Sequence, residues 1–281
     1  MGTNPTLYLY YYMKYQLIIL GTGHATVTAC YNTCFIVSNQ HDYLLVDAGG
    51  GNGIFRQLEQ VNISLKDIHH LFITHAHTDH ILGCVWVVRL VMQQMIAGKY
   101  EGCLHVYSHD KALNTLFSIC QMTMHKEYND YIGQRIFFHE LKDGDTFQVG
   151  EMAFQAFDIC SDKEKQYGFR MQMDDGRSLV CLGDEPYNPL CKRYVEHADW
   201  LMLEAFCLYE DRDIFHPYEK YHSTAMDAGK IAQSLHIKNL LLYHTEDHRL
   251  VTRREDYTAE AGKYFEGNII VPDDLETVDL Q

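Results

Sequence analysis

Three short apolar runs open the patterned part of the chain: 15–20 (YQLIIL), 33–37 (TCFIV) and 43–47 (YLLVD), with turn formers at 21–23 and 39–42 between them. Runs of this length bounded by Gly, Asn and Asp predict strands joined as hairpins. The period then changes. After the glycine-rich stretch that follows Asp47, Ile54, Leu58 and Val61 recur at helical spacing, and 69–74 (HHLFIT) reads as a buried strand. Residues 81–97 are apolar nearly all round and predict a buried helix, followed by a strand at 104–107 and a helix at 110–121.

From 136 to 182 the texture is that of strands, as IFFHEL, TFQV, MAFQAFDI, YGFRMQM and SLVCLG, the last two joined by a hairpin turn at 174–176. Residues 200–206 predict another strand. Ser223 is the expected cap of a helix running to about residue 236, with Ala225, Ala228, Ile231, Ala232 and Leu235 on one side. The strand NLLLYH, a helix at about 252–265 and a strand at 268–271 close the chain. No repeat, low-complexity block or proline-rich linker interrupts the pattern, which predicts a single domain over 14–281. Mixed strands with helices outside them predict an α/β sandwich whose two sheets share one core. Residues 1–13 carry a tyrosine run without the basic start of an export signal, and read as a disordered N-terminal extension with no role in the fold.

Composition narrows the partners. With 23 basic and 38 acidic residues the formal charge is −15, which works against a broad surface that neutralises phosphates, so long nucleic acid is disfavoured. A local basic patch or bound divalent metal reverses the field near a site. The nine cysteines are odd in number and scattered without a CxxC pair, which suits a reducing cytoplasm. No apolar stretch reaches the roughly eighteen residues of a membrane span.

The densest chemistry lies at Thr74-His-Ala-His-Thr-Asp-His80, where a strand ends in three histidines and an aspartate within six residues. His75 and His77 alternate along an extended segment and point the same way, while Asp79 and His80, past the bend, face a second position. One turn can serve two metals. Two further candidates end later strands, Asp184 in VCLGD and His244 in LLLYH.

Together with GTGHA and LLVDAGG upstream, this HxHxDH motif resembles the metallo-β-lactamase hydrolase superfamily, which implies a four-layer αββα sandwich of two mixed sheets. The resemblance implies two divalent metals, with Asp184 bridging them and His244 on the same metal as Asp79 and His80. Imidazole and carboxylate ligands suit zinc first, with manganese and iron compatible. The sequence departs from the superfamily where the first metal should find a third histidine, since FQAFDICSDKEKQYGFR contains none. Cys160 is the first candidate for that place and Asp158 the second, and a site with no third protein ligand remains open.

The segments ADWLMLEAFC and YHSTAMDAGKIAQSLHIKNLLLYHTED resemble the ribonuclease Z branch. That implies His222 as proton donor to the leaving oxygen, Glu204 orienting it, Asp79 orienting the attacking water, and a homodimer. The branch's tRNA-processing members carry a long arm where this chain has only MDDGRS. The expected activity is therefore metal-dependent hydrolysis of a small phosphodiester or nucleotide-like substrate. Endonucleolytic processing of tRNA precursors is the alternative, and a non-hydrolytic metal-binding or redox protein the second one. Residues 120–135 and 207–221 are longer than the fold requires and are expected to border the cleft, while His24 and Asp47 are read as a cavity residue or loop cap and as an acceptor fixing the ligand loop, respectively.

Overall fold

The computed structural model describes residues 14–281, and the stretch 1–13 read above as an extension lies outside the described residues. The first sheet holds, in spatial order, β14 (Thr277–Asp279), β1 (Gln16–Gly21), β2 (Cys34–Ser38), β3 (Tyr43–Val46), β4 (His70–Phe72), β5 (Leu104–Ser108) and β6 (Ile136–Glu140). The second holds β13 (Asn268–Ile270), β12 (Asn239–Tyr243), β11 (Trp200–Glu204), β10 (Ser178–Cys181), β9 (Tyr167–Gln172), β8 (Met152–Asp158) and β7 (Thr146–Val149). Both sheets are mixed. Strands β1 to β3 and β7 to β10 pair antiparallel, whereas β3 to β6 and β10 to β13 pair parallel.

The central strands are apolar along most of their length because both of their faces are covered, with polar residues such as His70, Ser178 and Glu204 at their ends. Leu17, Phe35, Val46 and Phe72 point into the space between the sheets, where they meet Phe154, Phe169, Met202 and Leu241. Their neighbours Ile36, Leu45 and Leu71 face outward onto α1 (Gly53–Gln60), α2 (Thr78–Ile96) and α3 (Asp110–Thr123). One-turn helices α4 (Lys126–Asn129), α5 (Lys192–Val195) and α6 (Arg212–Phe215) sit in connections, and α7 (Ala225–Ser234) with α8 (Arg253–Ala261) cover the second sheet over Leu201, Leu203, Leu240 and Leu242. The result is the expected four-layer αββα sandwich.

Departures from the sequence reading are local. Helix α7 is capped by Thr224, whose hydroxyl accepts from the Asp227 amide in a reciprocal capping box, while Ser223 turns back to Glu204. Strand β14 has no counterpart in the sequence reading, and it adds an edge to β1 through Leu17 and Val278. Arg253, buried at the start of α8, donates to Thr22, Thr245 and the Pro272 carbonyl and pairs with Asp273. It ties the loop after β1 to the loop after β12, and so steadies the end of the sandwich where the parallel strands run out.

Candidate functional site

Five chain segments converge at the carboxyl ends of β3, β4, β10, β11 and β12. Asp47, directly after β3 and at a φ of 54°, accepts hydrogen bonds from the Thr74 amide (2.9 Å) and hydroxyl (2.7 Å) and faces His80 Nδ1 at 2.8 Å. A carboxylate on one imidazole nitrogen sets the tautomer and leaves the other nitrogen's lone pair free to bind. His75 follows the same logic, with Thr74 Oγ1 2.9 Å from its Nδ1, and its Nε2 lies 2.8 Å from His77 Nδ1. These two rings point the same way, as the alternation predicts.

Helix α2 begins at Thr78, so Asp79 and His80 occupy its first turn. Their placement depends on Gly83, whose amide donates to the Gly49 carbonyl at 2.8 Å; a Cβ there would lie 1.7 Å from the Ala48 oxygen.

Three groups of donor atoms result among the described residues; Glu204, His222 and His244 form one, and the other two share Asp184. His75, His77 and Asp184 form the first; Asp79, His80, Asp184 and His244 form the second. Asp184 turns Oδ1 toward His75 Nε2 at 3.5 Å and Oδ2 toward His80 Nε2 and His244 Nε2, each at 3.4 Å. Asp79 Oδ2 lies 3.3 Å from His80 Nε2 and 3.6 Å from His244 Nε2. Ligands about 2.1 Å from a tetrahedral cation are about 3.4 Å apart, so the second group fits a zinc-sized ion. Both of those Nε2 atoms are buried with no hydrogen-bond partner among the described residues, which is the state of a nitrogen awaiting a cation. Burial holds His75 and His77 below the ordinary imidazole range, in the neutral form that a ligand needs. Burial alone would raise the Asp79 carboxyl, but His80 and His244 hold it well below the usual carboxylate range.

Beside the second group stands His222, its ring 5.3 Å from that of His244 and stacked on Phe206 at 4.7 Å. Glu204 is fully buried; its Oε1 accepts from the Ser223 amide at 2.6 Å and its Oε2 faces His222 Nδ1 at 3.6 Å. Burial pulls the His222 pKa down, but Glu204 outweighs it and the net shift is upward. His24 is opposite in character: burial, then His244 and His222, lower it to about 4.

The structure does not bring Cys160 or Asp158 into either donor group. The Cys160 thiol sits 3.7 Å from the Asp158 carbonyl, and burial together with the Asp158 carboxylate raises its pKa, against the thiolate a metal requires. Asp158 Oδ1 is occupied by the Cys160 amide at 2.8 Å. Gln166 reaches the place instead. It is wholly buried, donates its amide to Asp184 Oδ1 and lies 2.8 Å from His75 Nδ1.

The donor groups open into a cavity of about 240 Å³ lined by His77, Asp79, Lys163, Lys220, His222 and His244. Across His222 lies a second one of about 340 Å³, bordered by Glu185, Tyr187, Asn188, Tyr218 and Tyr221. Burial pushes the Glu185 carboxyl up to about 7, and its Oε1 has no partner among the described residues. Segment 207–221 thus borders the cleft as expected. Segment 120–135 lines neither cavity: Arg135 is spent on the Tyr100 and Gly102 carbonyls, and the Tyr128 ring lies under Arg89. Sequence reasoning passed over Lys163, Gln166, Glu185 and Lys220, which sit in the polar stretches SDKEKQ, GDEP and PYEK with no motif of their own to single them out.

The chain is 24% identical to a ribonuclease Z of Thermococcus sibiricus, over 94% of this chain and 96% of that one. Its fold matches the metallo-β-lactamase fold protein YhfI of Bacillus subtilis at a TM-score of 0.74, with 18% identity over 95% of this chain and 99% of that one. A diphosphatase of the PhnP family matches at 0.71, also with 18% identity, over 95% and 98%. Among the described residues no helix is long and apolar enough to cross a membrane. The family model described as anti-Pycsar protein Apyc1 matches residues 15–262, so this metal-dependent hydrolase of the metallo-β-lactamase fold belongs to that family.

Proposed function

We propose that the protein hydrolyses a small phosphodiester or nucleotide-like substrate. The observation that carries this reading is Asp184, whose two oxygens face two separate donor groups while His222 stands at the edge of the same cavity. His75, His77 and Asp184 would hold one divalent cation, and Asp79, His80, Asp184 and His244 the other, zinc suiting both sets. Bound there, the cations would polarise the phosphoryl group and ease deprotonation of the attacking water. Asp79, fixed between two imidazoles, accepts from that water and aims it. His222, kept protonated by Glu204, gives its proton to the departing oxygen, and Glu204 retains the resulting neutral ring in place. Two cavities of 240 and 340 Å³ suit a small diester, and the tight turn between β9 and β10, with Met173 bonded to Arg177, leaves no arm for a long RNA.

The test is metal content measured together with hydrolysis of bis(p-nitrophenyl) phosphate. Wild type is expected to hold about two zinc ions and turn over the diester, and His222→Ala to keep the zinc while losing roughly 100-fold or more in kcat toward a diester with an alkoxide leaving group, which needs the proton that p-nitrophenolate does not. Activity on the alkoxide diester indifferent to His222 would overturn the mechanism. A second reading, endonucleolytic cleavage of tRNA precursors, is favoured by relatives named ribonuclease Z that align over nearly the whole chain. Metal-dependent release of a mature 3′ end from a precursor, with no turnover of small diesters, would establish it instead.

A further inference from the structure

Lys163 and Lys220 are the two lysines lining the 240 Å³ cavity, and they come from loops 57 residues apart in the chain. The glutamates next to them in the chain have partners of their own. On the first loop Lys165 pairs with Asp110 at 2.5 Å and Glu164 with Lys111 at 2.7 Å, while Lys163 reaches the Lys220 carbonyl at 3.4 Å. On the second, Glu219 faces His216 at 3.4 Å, and the Lys220 ammonium lies 5.1 Å from the centre of the Phe206 ring, whose face stacks on His222. Neither lysine has a carboxylate within 4.0 Å among the described residues, in a chain of net charge −15. Two ammonium groups lining a cavity with no ion-pair partner within 4.0 Å, one of them seated on the ring that stacks on the proposed acid, can take the oxygens of an anion there.

We propose that Lys163 and Lys220 form a paired clamp for the non-bridging oxygens of the substrate phosphate, opposite the metal-binding side chains. The clamp rests on the phosphodiester reading and adds to it the groups that bind the ground state. It also accounts for substrate capture by an acidic molecule: the attraction is local, confined to the cavity, and invisible in the net charge.

The experiment compares wild type with Lys163→Ala, Lys220→Ala and the double variant, and with the arginine substitutions at both positions, all loaded with zinc. With bis(p-nitrophenyl) phosphate, each alanine variant is expected to raise KM roughly tenfold, with kcat changed less than about threefold, unchanged zinc content, and partial recovery by arginine. KM of wild type should climb with ionic strength, and that of the double variant should not. Unchanged KM, equal salt dependence or loss of zinc in the variants would overturn the clamp. Binding of inorganic phosphate by calorimetry separates this from failure of the enzymatic reading. If wild type turns over no diester, the hydrolytic reading fails, yet the clamp still predicts phosphate binding at least tenfold weaker in the double variant, and equal binding would sink it.

Discussion

Asp47 lines neither cavity, yet three of its contacts set the orientation of the candidate metal ligands: the Thr74 amide and hydroxyl, and His80 Nδ1. Without that carboxylate the His80 ring loses its preferred tautomer. Asp47→Ala is therefore expected to weaken zinc binding about 10- to 100-fold, measured by competition with a chromogenic chelator, with Asp47→Asn lying between because its amide oxygen still accepts. The same scale shows where reading the chain stops. His75, His77, Asp79 and His80 are legible because six consecutive residues carry four donors, whereas the third position beside His75 is not. Cys160 has the better ligand chemistry, but the Ile159 amide bonds the Gln166 carbonyl and the Tyr167 amide the Thr74 carbonyl. That pairing across the loop brings Gln166 to His75 and turns Cys160 toward the second cavity.

The apolar pattern predicts helix α2 from residue 81, and the helix instead starts at Thr78. Periodicity cannot register a first turn whose side chains are donors. That turn stays in place because Gly83 lets the helix press against the loop after β3. Gly83→Ala, which forces a methyl into the Ala48 carbonyl, is expected to cost about 2–3 kcal/mol in urea unfolding and to lower zinc affinity as well, since Asp79 and His80 move with the helix. Unchanged stability in the Gly83→Ala variant would mean that this loop yields freely. The start of α7 makes a related point. Ser223 and Thr224 are both competent caps in sequence, and Glu204, nineteen residues away, decides between them by taking the Ser223 amide and hydroxyl for itself.

For the whole molecule, the expected response to acid follows from histidines buried neutral away from the donor groups. His70 stacks on His105 at 5.4 Å, faces the Tyr107 hydroxyl at 3.2 Å, and feels His69, His139 and Asp42; burial first, then His105, lowers it to about 4. In the unfolded chain the ring titrates near 6.5. Between those values the unfolded state holds the proton and the native state does not, so stability is complete at neutral pH and falls as pH drops from about 6.5 toward 4. After discounting for partial solvent screening, His70→Gln is expected to remove about 1 kcal/mol of the stability difference between pH 7.5 and pH 5, read from urea unfolding of metal-free protein at both. An identical slope in the two proteins would show that folding does not lower the His70 pKa. The amino-acid sequence by itself determined the apolar strands, the covering helices and the short-range donor cluster, because each is written in residues close together in the chain. Only the tertiary structure decided that Lys163, Glu185 and Lys220 border the two cavities and that Gln166 lies buried against His75 and Asp184. Each lies in a polar connection, and its position depends on how distant strands end against one another, a property with no local signature.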